Sequence, residues 1–244
     1  MNPKPNVLVF GTQEQVALAA AARFVDYSIA SIREHGSFTV ALAGGSTPRR
    51  VYELLAEKEC KDRVNWPLVH LFFGDERMVP PGSPESNYRM VNDSLVSRVE
   101  IPPENVHRII GETTPAESAE RYEAELKSLF RTVDWPGFDL ALLGMGADGH
   151  TASLFPGSDA LNEEEKWVVA TTQPQTRQGR ITLSLPVINH AKRVTFIVTG
   201  NEKAATLARV LRSEPEKEAL PAQRVRPVSG ILEWLVDQAA AAKL

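Results

Sequence analysis

Cysteine occurs once in the 244 residues, at Cys60, so no disulfide can form within the chain. That fits a reducing, cytoplasmic setting. No run approaches the roughly 20 apolar residues of a membrane span, and the opening MNPKPNVLVF lacks the apolar core of a secretory signal. Charge of one sign is not in excess. The net charge of −4 argues against a nucleic-acid partner and leaves room for a local basic pocket. Several chemical signatures are missing as well. There is no G-x-S-x-G elbow for a serine hydrolase and no G-K-S/T element of a phosphate-binding P-loop. No H-x-x-x-H or C-x-x-C spacing marks a metal site, so no metal is expected. Cys60 falls at the end of a predicted helix among charged residues and is assigned no nucleophilic role.

What is present suits an enzyme-sized α/β domain. Hydrophobic residues make up 43% of the chain and charged residues 24%, enough for a sizeable core. Short apolar runs predict strands over 7–10, 38–43, 68–73, 138–143, 167–171, 181–185 and 194–199. Amphipathic stretches predict helices over 12–35, 48–57, 86–98, 115–133 and 202–211, and 231–242 reads as a helix or as a strand running into one. Alternating strands and helices imply right-handed crossovers and a mainly parallel sheet. No linker, repeat or low-complexity segment divides the chain, so residues 1–244 are taken as one domain. The acidic stretch 163–165, with Lys166, reads as a solvated turn.

Three strand ends carry the chemistry. Gly44-Gly45-Ser46-Thr47-Pro48 follows the second strand. Paired glycines let backbone approach a ligand, the hydroxyls add donors, and Pro48 suits the first helical position. The helix N-terminus beyond would favour an anion; the same residues also serve as an ordinary turn and cap. Gly74-Asp75-Glu76-Arg77 follows the third strand. It can present a carboxylate and a guanidinium to one pocket, with Arg77 clamping a phosphate; the alternative is a solvated loop with a surface ion pair.

The third strand end is LGMGADGHTASLFP, residues 143–156. Gly144, Gly146 and Gly149 match the G-x-G-x-x-G dinucleotide fingerprint. That fingerprint normally opens the first βαβ unit of its domain, whereas this one arrives after 143 residues and Pro156 curtails any helix begun at Gly149. It also leaves His150 and Asp148 without a task. As a catalytic turn the segment uses both. Histidine is the side chain that ordinarily changes charge near neutral pH, so His150 suits general-base activation of water. Asp148 holds the imidazole or a sugar hydroxyl, and backbone N–H groups around residues 144–146 offer oxyanion donors. His35, His70, His107 and His190 lie in no comparable setting and are assigned structural roles.

Together these segments resemble the 6-phosphogluconolactonase family. The residues that carry the resemblance are ALAGGSTPRRVYELL (41–55), FFGDERMVPPGSPESNYRM (72–90) and LLGMGADGHTASLFPGS (142–158), with RITLSLPVIN (180–189), VTGNEKA (198–204) and VRPVSG (225–230). The resemblance spans nearly the whole chain. It implies a Rossmann-like α/β fold with helices on both faces of a mainly parallel sheet, and no metal or organic cofactor. The implied substrate is a phosphorylated sugar lactone, 6-phospho-D-glucono-1,5-lactone, opened to 6-phosphogluconate in the oxidative pentose phosphate pathway. The wider group includes glucosamine-6-phosphate deaminases, which carry D-G-H-I-A-F-N-E-P with a glutamate before the proline. Here Phe155 stands at that place. An apolar ring cannot relay a proton, which favours lactone hydrolysis over deamination. His150 and Asp148 are then the catalytic candidates. Gly44, Gly45, Ser46, Thr47, Asp75, Arg77, Arg180 and Lys203 are the substrate-binding candidates. Among these, Arg77, Arg180 and Lys203 would meet the phosphate, and Asp75 sugar hydroxyls or Arg77.

Overall fold

The computed structural model describes residues 6–131, 134–212 and 219–244. Residues 1–5, and the last two of the helix expected over 115–133, lie outside them. Seven strands build the central sheet: β1 (Asn6–Phe10), β2 (Phe38–Leu42), β3 (Val69–Phe73), β5 (Val106–His107), β6 (Leu140–Leu143), β9 (Arg193–Val198) and β10 (Ile231–Asp237). Their order is β1-β10-β9-β6-β2-β3-β5 and every pairing is parallel. The helices that flank it are α1 (Gln13–His35), α2 (Ser46–Leu55), α3 (Lys58–Lys61), α4 (Asn87–Ser94), α5 (Pro115–Phe130), α6 (Leu185–Asn189), α7 (Ala204–Arg212) and α8 (Pro221–Arg224). This is the α/β architecture expected from the alternation of apolar runs.

The central strands are apolar on both faces, as a doubly covered sheet requires. In β6 all four residues of the LALL run are buried. Helix α1 turns Val16, Ala17, Ala20, Ala21, Phe24 and Val25 inward, the spacing of one helical face. The Thr12 side chain accepts from the Gln15 N–H at its start, and Gly36 closes it in the left-handed conformation at φ 88°. Trp234 of β10 stacks on Phe196 of β9 with ring centroids 3.8 Å apart.

A second, antiparallel sheet lies outside the alternation pattern. Its order is β4-β8-β7, formed by Asp75–Arg77, Gly179–Leu183 and Val168–Thr172. The charged Asp75-Glu76-Arg77 segment is therefore a strand and not a solvated loop. Glu76 is buried, accepting from the backbone N–H groups of Asn87 and Tyr88 at the start of α4, each at 2.8 Å. Two further expectations shift. Residues 231–242 form a strand only to Asp237, followed by turns. Helix α2 begins at Ser46, so Pro48 occupies its third position and the Ser46 and Thr47 N–H groups lie at its free end.

The strand order locates the site. From β2 the chain moves outward through β3 to β5, and from β6 outward the other way through β9 to β10. The direction reverses between the adjacent strands β2 and β6. Ligands of open α/β sheets bind beyond the carboxyl ends of strands at such a reversal. The turns at 44–47 and 144–150 meet there.

Candidate active site

A cavity of about 340 Å³ opens at this point, within the roughly 300–1,000 Å³ usual for small-molecule sites. Its wall includes Gly44, Gly45, Asp75, Arg77, His150, Phe155, Arg180 and Lys203. An adjoining cavity of about 370 Å³ is lined by Ser46, Thr47, Thr199 and Glu202, and shares Gly44, Gly45, Gly144, Met145 and Lys203 with the first. All candidates except Asp148 thus line one of two connected chambers, and Asp148 is held against His150.

The turn after β6 is built around that pair. His150 Nδ1 lies 2.6 Å from Asp148 Oδ1, and the same oxygen accepts from the His150 backbone N–H at 3.2 Å. The hydrogen bond from His150 holds the Asp148 carboxyl below its usual range, against the opposing effect of burial. An ionised Asp148 accepts only, so Nδ1 is the donor of this bond, and in the neutral ring the lone pair lies on Nε2. Both side chains stay open to solvent, at 35% and 39% exposure, so water reaches them. The Phe155 ring packs 5.1 Å from the imidazole and is buried.

Two glycines make this turn possible. A Cβ on Gly146 would stand 2.2 Å from His150 Nδ1. Gly149 adopts φ 83°, and its carbonyl accepts from the Ala222 N–H at 3.0 Å. The Gly146 N–H donates to the His150 carbonyl at 2.9 Å. It is spent on the turn, which removes it from the expected oxyanion donors.

Asp75 is buried and does not pair with Arg77. It accepts from Ser153 Oγ at 2.6 Å and from Asn87 Nδ2 at 3.1 Å. Asn87 also packs under Gly44, where any Cβ would lie 2.1 Å from its Oδ1. Asn87 and Ser153 were not singled out from the sequence. The signal was present only as polar residues inside the segments 72–90 and 142–158, and their inward direction depends on strand β4.

Arg77 and Arg180 are register partners across β4 and β8. Arg77 donates to the Glu85 carbonyl. Among the described residues neither arginine, nor Lys203, forms an ion pair with a carboxylate. Burial, and then the charge of Arg77, pulls the Arg180 guanidinium below its usual value. Its Nη1 is buried without a hydrogen-bond partner. Lys203 sits on a single 3-10 turn (Asn201–Lys203) ahead of α7. Thr47 Oγ1 meets Thr199 Oγ1 at 2.9 Å, tying the 44–47 turn to the end of β9.

The other histidines are engaged away from this site. His35 bonds to Asp139, His70 to His107, His107 to Glu125, and His190 to the Pro186 carbonyl. Among the described residues no group of three or more His, Cys, Asp or Glu side chains is placed to hold a metal ion. No described helix is long and apolar enough to cross a membrane.

Comparison with known proteins gives a consistent set of relatives. The family model for glucosamine-6-phosphate isomerases/6-phosphogluconolactonase matches residues 11–234. The 6-phosphogluconolactonase of Haemophilus influenzae is 38% identical over 235 residues, covering 96% of this chain and 98% of the relative. That of Nostoc sp. is 40% identical over 217 residues, 88% of each chain. The solved 6-phosphogluconolactonase of Trypanosoma brucei superposes with a TM-score of 0.89 at 32% identity, over 99% of both chains.

Proposed function

The chain belongs to the glucosamine-6-phosphate isomerase/6-phosphogluconolactonase family, and from that premise we propose that it hydrolyses 6-phospho-D-glucono-1,5-lactone to 6-phospho-D-gluconate, in the pentose phosphate pathway. The observation that carries the reading is the 2.6 Å His150–Asp148 contact at the mouth of a cation-lined cavity. Asp148 fixes the ring so that Nε2 faces the cavity as a base. His150 takes a proton from water as the water oxygen attacks the lactone carbonyl carbon. The tetrahedral intermediate then breaks its bond to the ring oxygen, and the imidazolium returns the proton to that oxygen. One residue performs both transfers. The lactone is already reactive, so positioning and acid–base terms suffice.

Lys203, the free N–H groups of α2 and the hydroxyls of Ser46 and Thr47 supply positive and donor groups for the phosphate. Asp75, fixed by Asn87 and Ser153, accepts from sugar hydroxyls. No metal or organic cofactor enters this scheme. The lone cysteine suits a reducing cytoplasm. Deamination of glucosamine 6-phosphate is the competing reading. Phe155, buried and packed against His150, offers no carboxylate for proton transfer in ring opening. The discriminating experiment supplies each substrate in turn. Acid release from freshly made 6-phosphogluconolactone at about pH 7, faster than spontaneous opening, with no ammonia from glucosamine 6-phosphate, is expected. Ammonia release without lactone opening overturns the proposal.

A further inference from the structure

The groups that could meet an anion are spread along the site. Arg77 and Arg180 line only the chamber that holds His150, whereas Ser46, Thr47 and Arg50, the last ion-paired with Glu14, line only the adjoining one; Lys203 is on the wall of both. Building on the hydrolysis reading above, we propose that Arg77 and Arg180 form the oxyanion clamp of the reaction and retain the carboxylate of the product, while the phosphate lies at the 44–47 turn and Lys203.

Four observations support this division of labour. In a 1,5-lactone the carbonyl carbon and the phosphate-bearing arm flank the ring oxygen, and their exocyclic bonds diverge. A site that grips one therefore does not grip the other. The base must reach both the water at the carbonyl and the ring oxygen, so the cations that line its chamber and not the adjoining one, Arg77 and Arg180, are placed at the carbonyl, while Lys203, on the wall of both, can reach the phosphate arm. The register pairing of Arg77 with Arg180 sets two like charges side by side. Asp75, Glu76 and Glu85 offset part of that repulsion at Arg180, yet none lies in ion-pair contact with either arginine among the described residues, so an incoming anion is stabilised by both. Finally, the buried Nη1 of Arg180 has no acceptor, and the Gly146 N–H is committed to the His150 carbonyl. The missing acceptor and the missing oxyanion donor are complementary.

The chemistry balances around this clamp. The water oxygen bonds to the carbonyl carbon as Nε2 takes one of its protons, and the carbonyl electron pair moves onto oxygen as an alkoxide. In this proposal the guanidinium pair, with Arg77 held by its bond to the Glu85 carbonyl, meets that charge. The alkoxide pair re-forms the carbonyl as the bond to the ring oxygen breaks, and the imidazolium protonates the departing oxygen. The resulting carboxylic acid ionises in the site and releases the proton seen in the assay. Its carboxylate then takes the fork geometry that paired arginines offer.

The test uses two lactones, 6-phosphogluconolactone and the unphosphorylated glucono-1,5-lactone. R77Q and R180Q are expected to lower kcat/KM on both by the same factor, about 10²-fold, the usual loss for one oxyanion donor. Lys203→Gln is expected to raise KM for the phosphorylated lactone alone. Arginine variants that spare glucono-1,5-lactone overturn the proposal and make the pair a phosphate site. A binding measurement covers variants that fold poorly. Wild-type protein is expected to hold 6-phosphogluconate about tenfold tighter than glucitol 6-phosphate, which has no carboxylate, and Arg180→Lys is expected to shrink that preference. Equal affinity for the two in the wild type also overturns it. If the wild type opens neither lactone faster than buffer, the hydrolysis reading itself has failed, a result distinct from all of these.

Discussion

Gly146→Ala probes the geometry of the catalytic turn with one methyl group. Gly146 has no positive φ, so the backbone accepts alanine. The space does not. The new Cβ would lie 2.2 Å from His150 Nδ1, 2.3 Å from Cε1 and 2.5 Å from Asp148 Oδ1, where ordinary contact begins at 3.4 Å. The imidazole must retreat by about 1.2 Å, which also parts it from Asp148. A displacement of about 1 Å at a reacting group costs on the order of 10²-fold in rate. That corresponds to about 2.7 kcal/mol of transition-state stabilisation. Complete loss of a general base, roughly 10²- to 10⁴-fold, sets the ceiling. The assay is acid release from 6-phosphogluconolactone, corrected for spontaneous opening, with thermal unfolding monitored in parallel. Gly82→Ala, where nothing lies within 4 Å of the added carbon, serves as the control and is expected to be neutral. A Gly146→Ala protein that melts normally and keeps wild-type kcat/KM would refute the placement of His150 as the base.

Other consequences can be checked alongside. Ser153→Ala removes the 2.6 Å donor to Asp75 and is expected to lower kcat/KM by about tenfold, or ~1.4 kcal/mol, in steady-state kinetics. Asp139 is buried, and its carboxyl is held low: burial opposes ionisation, but the Thr39 backbone bond and Lys192 outweigh it. Its folded pKa lies below its unfolded value, so it adds stability above about pH 4 that is lost as pH falls through the lower folded value. The melting-temperature gap between wild type and Asp139→Asn should therefore be wide at pH 7 and narrow towards pH 2. Trp234→Ala, which empties the stack on Phe196, is expected to cost roughly 3–5 kcal/mol by urea unfolding while the folded fraction keeps its kcat/KM.

Much of this molecule was legible along the chain, for a physical reason. The buried parallel strands are continuous apolar runs, and β2, β3, β6 and β9 each end in glycine-containing turns that bear the polar residues of the site. His150, Asp148 and the 44–47 turn stand out as candidates because their chemistry is compressed into a few consecutive residues. Two strands of the antiparallel sheet were legible as apolar runs at 167–171 and 181–185, but the third was not. Asp75–Arg77 carries three charged side chains, which left a solvated loop as the alternative to a pocket wall, and only pairing with β8 shows that two of them are buried. Asn87 and Ser153 bond to Asp75 from 12 and 78 residues away, and no local pattern reports such contacts. The division of the cations between two chambers is likewise a property of packing. The strand end of 231–242 was ambiguous because a short buried strand and a buried helical turn share the same apolar composition.

In the proposed mechanism His150 activates water against the carbonyl of 6-phosphogluconolactone, and His150→Ala removes that base. The measurement is the rate of acid release at about pH 7 from freshly made lactone, with variant and wild type matched in melting temperature. The variant is expected to fall by about 10²- to 10⁴-fold, towards the spontaneous rate. Turnover by a folded His150→Ala protein within a few-fold of wild type would contradict the account.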